Sequence, residues 1–218
     1  MITRIKNIFK TPSCNRLKNE FKRGLHDKSG IAAIEFALIA PIFIILYIGL
    51  AETSFAIGTD REVSHAASVA GDLTTQLDVV SQSELEDVLA AALTVMNLDP
   101  SDRGSVNIEI ASYSKDSSGT VDRIGYATMG PAIPAGPTID TLANGLNDQL
   151  LSDVSGVVIA RVEYEYTPPI TRFVNTVRLS ETIFLKPRRS SNLLFDEAGT
   201  DSFSCTANTT NPVASATC

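Results

Sequence analysis

The longest hydrophobic stretch of the chain lies near its start. Between Ile31 and Ala51 every residue but Glu35 is uncharged, and most are apolar. These 21 residues form about 31 Å of helix at 1.5 Å per residue, which crosses the hydrocarbon core of a bilayer. Pro41 removes the helical hydrogen bond to Ala37, which predicts a kink or local loosening, although membrane helices also tolerate proline without a role for it. The pattern predicts one transmembrane helix over 31–51.

Helical periodicity continues beyond this run. Apolar residues recur at steps of three and four and give one stripe, which predicts that the anchor runs on as a long amphipathic helix: Val63, Ala66, Ala70, Leu73, Leu77 and Val80. A second helix is predicted to begin at Ser83, which Glu86 follows at the capping-box distance, and to end at Asp99-Pro100.

Strand patterns follow in the second half of the chain. Apolar and polar residues alternate from Val106 to Ile110, which predicts a strand. A predicted turn at 116–119 separates this strand from a partner strand over 121–129. A short helix is predicted from Ile139, and the strands of 158–166 and 177–185 come after it. From Arg188 the chain is rich in Ser, Thr and Asn.

The predicted fold is therefore α+β. A single N-terminal transmembrane helix continues into a long amphipathic helix packed on a small antiparallel sheet, in a pilin-like arrangement. The expected divisions are a basic cytoplasmic leader, a transmembrane helix, an exported α+β domain and a polar tail: 1–30, 31–51, 52–187 and 188–218.

Charge sets the expected orientation. Residues 1–30 hold eight Lys or Arg against Glu20 and Asp27, a balance of +6, so the whole-chain charge of −7 leaves −13 for residues 31–218. Basic segments beside a membrane span stay cytoplasmic, which explains the leader better than nucleic-acid binding does. A cleaved secretory signal peptide is the alternative, but its apolar region is usually about 7–15 residues long.

The cysteines agree with this topology. Cys205 and Cys218 fall in the exported part, where an oxidising compartment permits a disulfide, and Cys14 stands alone on the reducing side. No Cys/His spacing indicates a metal site. GxSxG, phosphate-loop and HExxH motifs are also missing, so we expect no catalysis, no cofactor, no metal and no small-molecule substrate.

Glu35 is the residue that most invites a functional reading. A charge inside an apolar span costs about 2.5–3.5 kcal/mol on insertion scales. The simpler interpretation is an interfacial acid reaching the headgroups, as we also expect for Glu52 at the other end. If the chain were cut after Gly30, however, Glu35 would lie at the fifth position of a helix that begins with the α-amino group of Ile31. The carboxylate could then pair with that cation, on the same or a neighbouring subunit.

Three stretches resemble a known family. The first is Gly30-Ile-Ala-Ala-Ile-Glu35-Phe36-Ala-Leu-Ile-Ala-Pro41, which is similar to the opening of TadE/TadG-like proteins of the Tad (Flp) pilus system. Residues 60–68 and 179–188 are similar to a TadE-like subgroup: Asp-Arg-Glu-Val-Ser-His-Ala-Ala-Ser and Leu-Ser-Glu-Thr-Ile-Phe-Leu-Lys-Pro-Arg.

The resemblance implies a pseudopilin or minor pilin that takes part in pilus assembly or in the export machine. It implies Gly30 before a prepilin peptidase cut, Ile31 as the mature N-terminus and Glu35 as the assembly carboxylate. The expected partners are the bacterial inner membrane, other Tad subunits and that peptidase, with the C-terminal domain periplasmic. An uncleaved inner-membrane scaffold of the same machine remains the alternative. A membrane-tethered enzyme or binding module is a third, more distant one.

Overall fold

The computed structural model describes residues 30–131, 137–146, 150–151, 155–168, 175–195 and 201–218. The chain divides into two compact units, Met1–Leu50 and Ala51–Cys218. Helix α1 (Ile31–Thr75) is 45 residues long and continues through Pro41. The predicted long helix is therefore present, together with an α+β region.

The part of α1 after Leu50 has one buried side. Small residues dominate it and let the helix approach the sheet closely: Val63, Ala66, Ala67, Ala70 and Gly71 are all buried. The helix ends at Thr75 and not at Val80 as the apolar stripe predicted. Instead Val79–Val80 form a short strand, β1, which pairs in parallel with β6 (Leu194–Phe195).

Helix α2 spans Gln82–Met96, and its N-cap lies two residues earlier than predicted. Its N-cap is Ser81, whose hydroxyl accepts the backbone N–H of Glu84 while the Glu84 carboxylate accepts the N–H of Ser81. The capping box predicted at Ser83 and Glu86 is thus wrong by two positions. The apolar face of α2 is buried and consists of Leu85, Val88, Leu89, Ala92 and Met96.

A six-stranded sheet forms the centre of the second unit. After a 3₁₀ turn at Pro100–Ser105, its strands are β2 (Val106–Lys115), β3 (Val121–Met129), β4 (Val157–Tyr166), β5 (Val177–Leu185), β7 (Ser202–Ala207) and β8 (Ala216–Thr217), in the order β5-β4-β2-β3-β7-β8. The four predicted strands pair antiparallel, as expected.

Helices cover both faces of the sheet. Helices α1 and α2 pack on one face against residues such as Ile108 and Val162. The short helix α3 (Ile139–Asn144), capped by Thr138, packs on the other face at the end that holds Ala111 and Ile159.

The C-terminal segment belongs to the sheet, which the polar composition from Arg188 onward did not indicate. Strand β7 extends the sheet in parallel to β3 and places Phe203 and Cys205 in the core. Phe195 of β6 is buried against Gly125 of β3, where a Cβ atom would lie 2.1 Å from the Phe195 ring. Arg103 holds the loop between β7 and β8 by donating to the carbonyls of Asn208, Asn211, Pro212 and Val213.

Candidate processing and assembly site

The first candidate site is the beginning of α1. Gly30 is exposed, and apart from its chain neighbours no atom of the described residues lies within 4 Å of where its Cβ would be. The helix starts at Ile31. Glu35 follows at the i+4 position, which puts it on the same side of the helix, about 6 Å further along the axis. Its side chain is exposed.

Apolar side chains surround this carboxylate. Phe36 and Leu38 are 72% and 73% exposed, and the other large residues as far as Leu50, except the half-buried Ile48, are at least 45% exposed. Among the described residues, α1 is the helix long and apolar enough to cross a membrane. Such a surface is compatible with a membrane anchor, and inside a bilayer an acid needs a partner or a route to water. Processing at Gly30, pairing by Glu35 and a kink at Pro41 stay predictions.

Glu52 lies at the start of the second unit and is more buried than a residue at a membrane interface should be. It is 4% exposed, and among the described residues neither of its carboxylate oxygens has a hydrogen-bond partner. Tyr166 is close by: burial raises the pKa of its phenol, and the negative charge of Glu52 raises that pKa further. The interpretation of Glu52 as an interfacial acid is wrong, because the folded domain covers it.

The charged residues on the α3 side of the sheet pair with each other. Arg178 of β5 pairs with the buried carboxylate of Glu163, and the Arg161 guanidinium lies 3.7 Å from Glu109. The Glu109 carboxylate also accepts the hydroxyl of Tyr126 at 2.8 Å. These charged residues therefore neutralise one another within the domain, so we assign them a structural role.

Tyr113 lies on the same side of the sheet, next to α3. Its hydroxyl donates to the carboxylate of Asp140 at 2.5 Å, and Arg123 lies 3.2 Å from the same oxygen. Burial raises the pKa of Tyr113 far above its usual range, and the hydrogen bond to Asp140 adds to the rise. The phenol therefore stays a neutral donor that holds α3 on the sheet.

Cys205 and Cys218 are joined by a disulfide that closes the β7–β8 loop. The C-terminal residue also contacts α2, since the Cys218 N–H donates to Glu86 at 2.9 Å and Gln82 donates to the Cys218 carbonyl at 3.0 Å. Across the described ranges no group of three or more His, Cys, Asp or Glu is placed to hold a metal ion.

An apolar helix with an acid at its start continues into an α+β domain, and its length and composition are compatible with a single-pass membrane anchor. Residues 30–72 match the family model described as TadE-like protein, so the resemblance noted in the sequence is confirmed for this segment. The match begins at Gly30 and includes the whole predicted anchor. It supports involvement in Tad pilus assembly, in contact with other components of that system. No curated protein and no solved structure gave a significant match.

Proposed function

We propose that this chain is a processed pseudopilin or minor pilin-like subunit of the Tad pilus system. In this proposal the prepilin peptidase cuts between Gly30 and Ile31, and Glu35 pairs with the freed α-amino group during assembly. The chain sits in the bacterial inner membrane with its C-terminal domain in the periplasm.

The observation that carries the proposal is the coincidence at the start of α1. The TadE-like match begins at Gly30, the helix begins at Ile31, and the exposed carboxylate of Glu35 follows one turn later. The exported unit adds a second argument. It is a folded α+β domain with its own core, far more than a filament of bare helices requires, which favours a minor or initiating subunit.

The second candidate function is an uncleaved scaffold of the same machine. The same large exported domain favours it, since such a domain can bind partners while the helix stays in the membrane. The two candidates differ in the fate of residues 1–30, and in whether Glu35 has a cation to pair with.

A complementation experiment tests the proposal. In cells lacking the gene, the wild-type chain should restore pili counted by electron microscopy, and Glu35→Val should not, while both chains reach the membrane in equal amounts. Asp122→Asn, which removes an exposed carboxylate from the exported domain, serves as the matched control and should restore pili fully. Normal piliation in the deletion strain contradicts a role in assembly, and normal piliation with Glu35→Val contradicts the pairing role.

A further inference from the structure

The exposed surface of α1 stays apolar beyond the end of the predicted span. Phe55 is 63% exposed and Ile57 is 50% exposed, after Leu50 at 62%. The helix is continuous across these positions. Phe55 and Ile57 follow Ala51 by four and six residues, which is about 6 and 9 Å along the helix axis. An exposed apolar surface that continues in this way marks a contact with a membrane or with another protein.

Glu52 is the reason why the sequence predicted the end of the span at Ala51. Its side chain packs into the folded domain and is 4% exposed, so its carboxylate does not lie on the surface that a lipid would meet. Over residues 36–59 no other side chain is charged. The next charged residues are Asp60 and Arg61, and both are exposed. The exposed surface of the helix therefore changes from apolar to charged just before Asp60.

The length of this uncharged surface suits a bilayer. Glu35 and Asp60 are 25 residues apart, which is about 37 Å measured along a helix. The hydrocarbon core of a bilayer is about 30 Å thick, so it fits between the two acids. A core placed there meets no exposed charge, whereas a core that covers 31–51 encloses Glu35, and an enclosed acid is costly.

We propose that the bilayer reaches Ile57, so that Phe55 and Ile57 pack against lipid at the periplasmic edge of the hydrocarbon core. Large apolar side chains at this depth bind the boundary between acyl chains and headgroups and fix the height of a helix in the membrane. The same placement brings Glu35 to the cytoplasmic headgroup layer. The inference rests on the membrane location in the proposed function, and it names lipid as the partner of this surface.

Tryptophan fluorescence of the full-length chain tests this depth, because the chain contains no tryptophan of its own. Single-tryptophan variants are reconstituted into vesicles of phosphatidylcholine, either unmodified or brominated on the acyl chains close to the headgroups. Leu46→Trp is the positive control, since Leu46 lies inside the predicted span and is 58% exposed. Phe55→Trp and Ile57→Trp should be quenched by the brominated lipid at least about half as strongly as Leu46→Trp, as expected for side chains at the membrane boundary. Their emission should lie at short wavelength.

His65→Trp is the matched control on the same helix. His65 is exposed and follows Ile57 by eight residues, about 12 Å further along the axis. Its tryptophan should therefore emit at long wavelength and stay unquenched by the brominated lipid. Circular dichroism of each variant checks folding, and we expect wild-type spectra because all of the substituted side chains are exposed.

Two results would overturn the lipid contact. Quenching of Phe55→Trp and Ile57→Trp no stronger than that of His65→Trp, with emission at long wavelength, would put the membrane boundary at Ala51. Emission at short wavelength without quenching by the lipid would show that a neighbouring copy of the chain covers this surface instead. Both results leave the proposed function standing as long as Leu46→Trp is quenched. An unquenched Leu46→Trp would contradict the membrane anchor, on which the contact and the proposed function both rest.

Discussion

Gly71 of helix α1 lies directly against Ile183 of strand β5. A Cβ atom at position 71 would be 2.7 Å from Cδ1 of Ile183 and equally close to Cδ1 of Leu185. Because Gly71 has no side chain, the helix can pack closely against β5 at the edge of the sheet. Ala66, Ala67 and Ala70 continue the same thin side of the helix, so this contact depends on small residues more than on large ones.

Gly71→Ala should therefore stabilise the domain by less than alanine usually does in a helix, because the ends of the Ile183 and Leu185 side chains must move aside. Gly58→Ala is the matched control on the same helix, since no atom lies within 4 Å of its Cβ position, and it should stabilise by about 0.5–1 kcal/mol. Urea unfolding followed by circular dichroism measures both, and equal effects of the two substitutions would contradict the close contact.

The N-terminus of α2 gives a second comparison within one segment. Ser81→Ala removes the capping hydroxyl that accepts the N–H of Glu84 and should cost about 1 kcal/mol. Ser83→Ala, two residues later and exposed, should change the free energy of unfolding by less than about 0.5 kcal/mol. If Ser83→Ala proves the more damaging change, the cap lies where the sequence pattern first placed it.

We expect the disulfide to stabilise the C-terminal strands β7 and β8. Replacing Cys205 and Cys218 by serine opens a loop with a sequence separation of 13 residues and should cost about 3 kcal/mol in the chain-entropy model. Cys14→Ser is the control and should leave the melting temperature unchanged. If a reducing agent leaves the melting temperature of the wild type unchanged, the disulfide is absent or does not contribute to stability.

Local patterns were sufficient to predict most of the fold. Residues 106–110 and 158–166 alternate at a period of two, and the turn at 116–119 joins neighbouring strands, so periodicity and proximity predicted the central antiparallel sheet. The start of α1 was equally readable from the apolar run, whereas the apolar stripe placed its end at Val80 instead of Thr75.

Contacts between distant parts of the chain were not predictable in this way. Strand β7 joins β3 in parallel, and its partner is about 75 residues earlier in the sequence, beyond the reach of any local pattern. The cap of α2 was misplaced because Ser81-x-x-Glu84 and Ser83-x-x-Glu86 are the same motif two residues apart. What distinguishes them is β1, which ends at Val80 and fixes the backbone just before Ser81.

The candidate sites likewise differ in whether the local sequence was enough to predict them. Gly30, Ile31 and Glu35 form a motif contiguous in sequence, so reading the sequence was enough to find them. Glu52 was missed because the domain folds over a residue that composition places at a membrane boundary. Its one sequence signal was an acid at the first position of an otherwise small and apolar stripe.

The mature N-terminus tests the central claim most directly. The chain should be extracted from membranes of cells with and without the prepilin peptidase, and its terminal peptide identified by mass spectrometry. We expect Ile31 as the first residue when the peptidase is present and Met1 when it is absent. Met1 in both strains would contradict processing and favour the uncleaved scaffold, and a start near Glu52 would indicate a cleaved signal peptide and contradict the anchor itself.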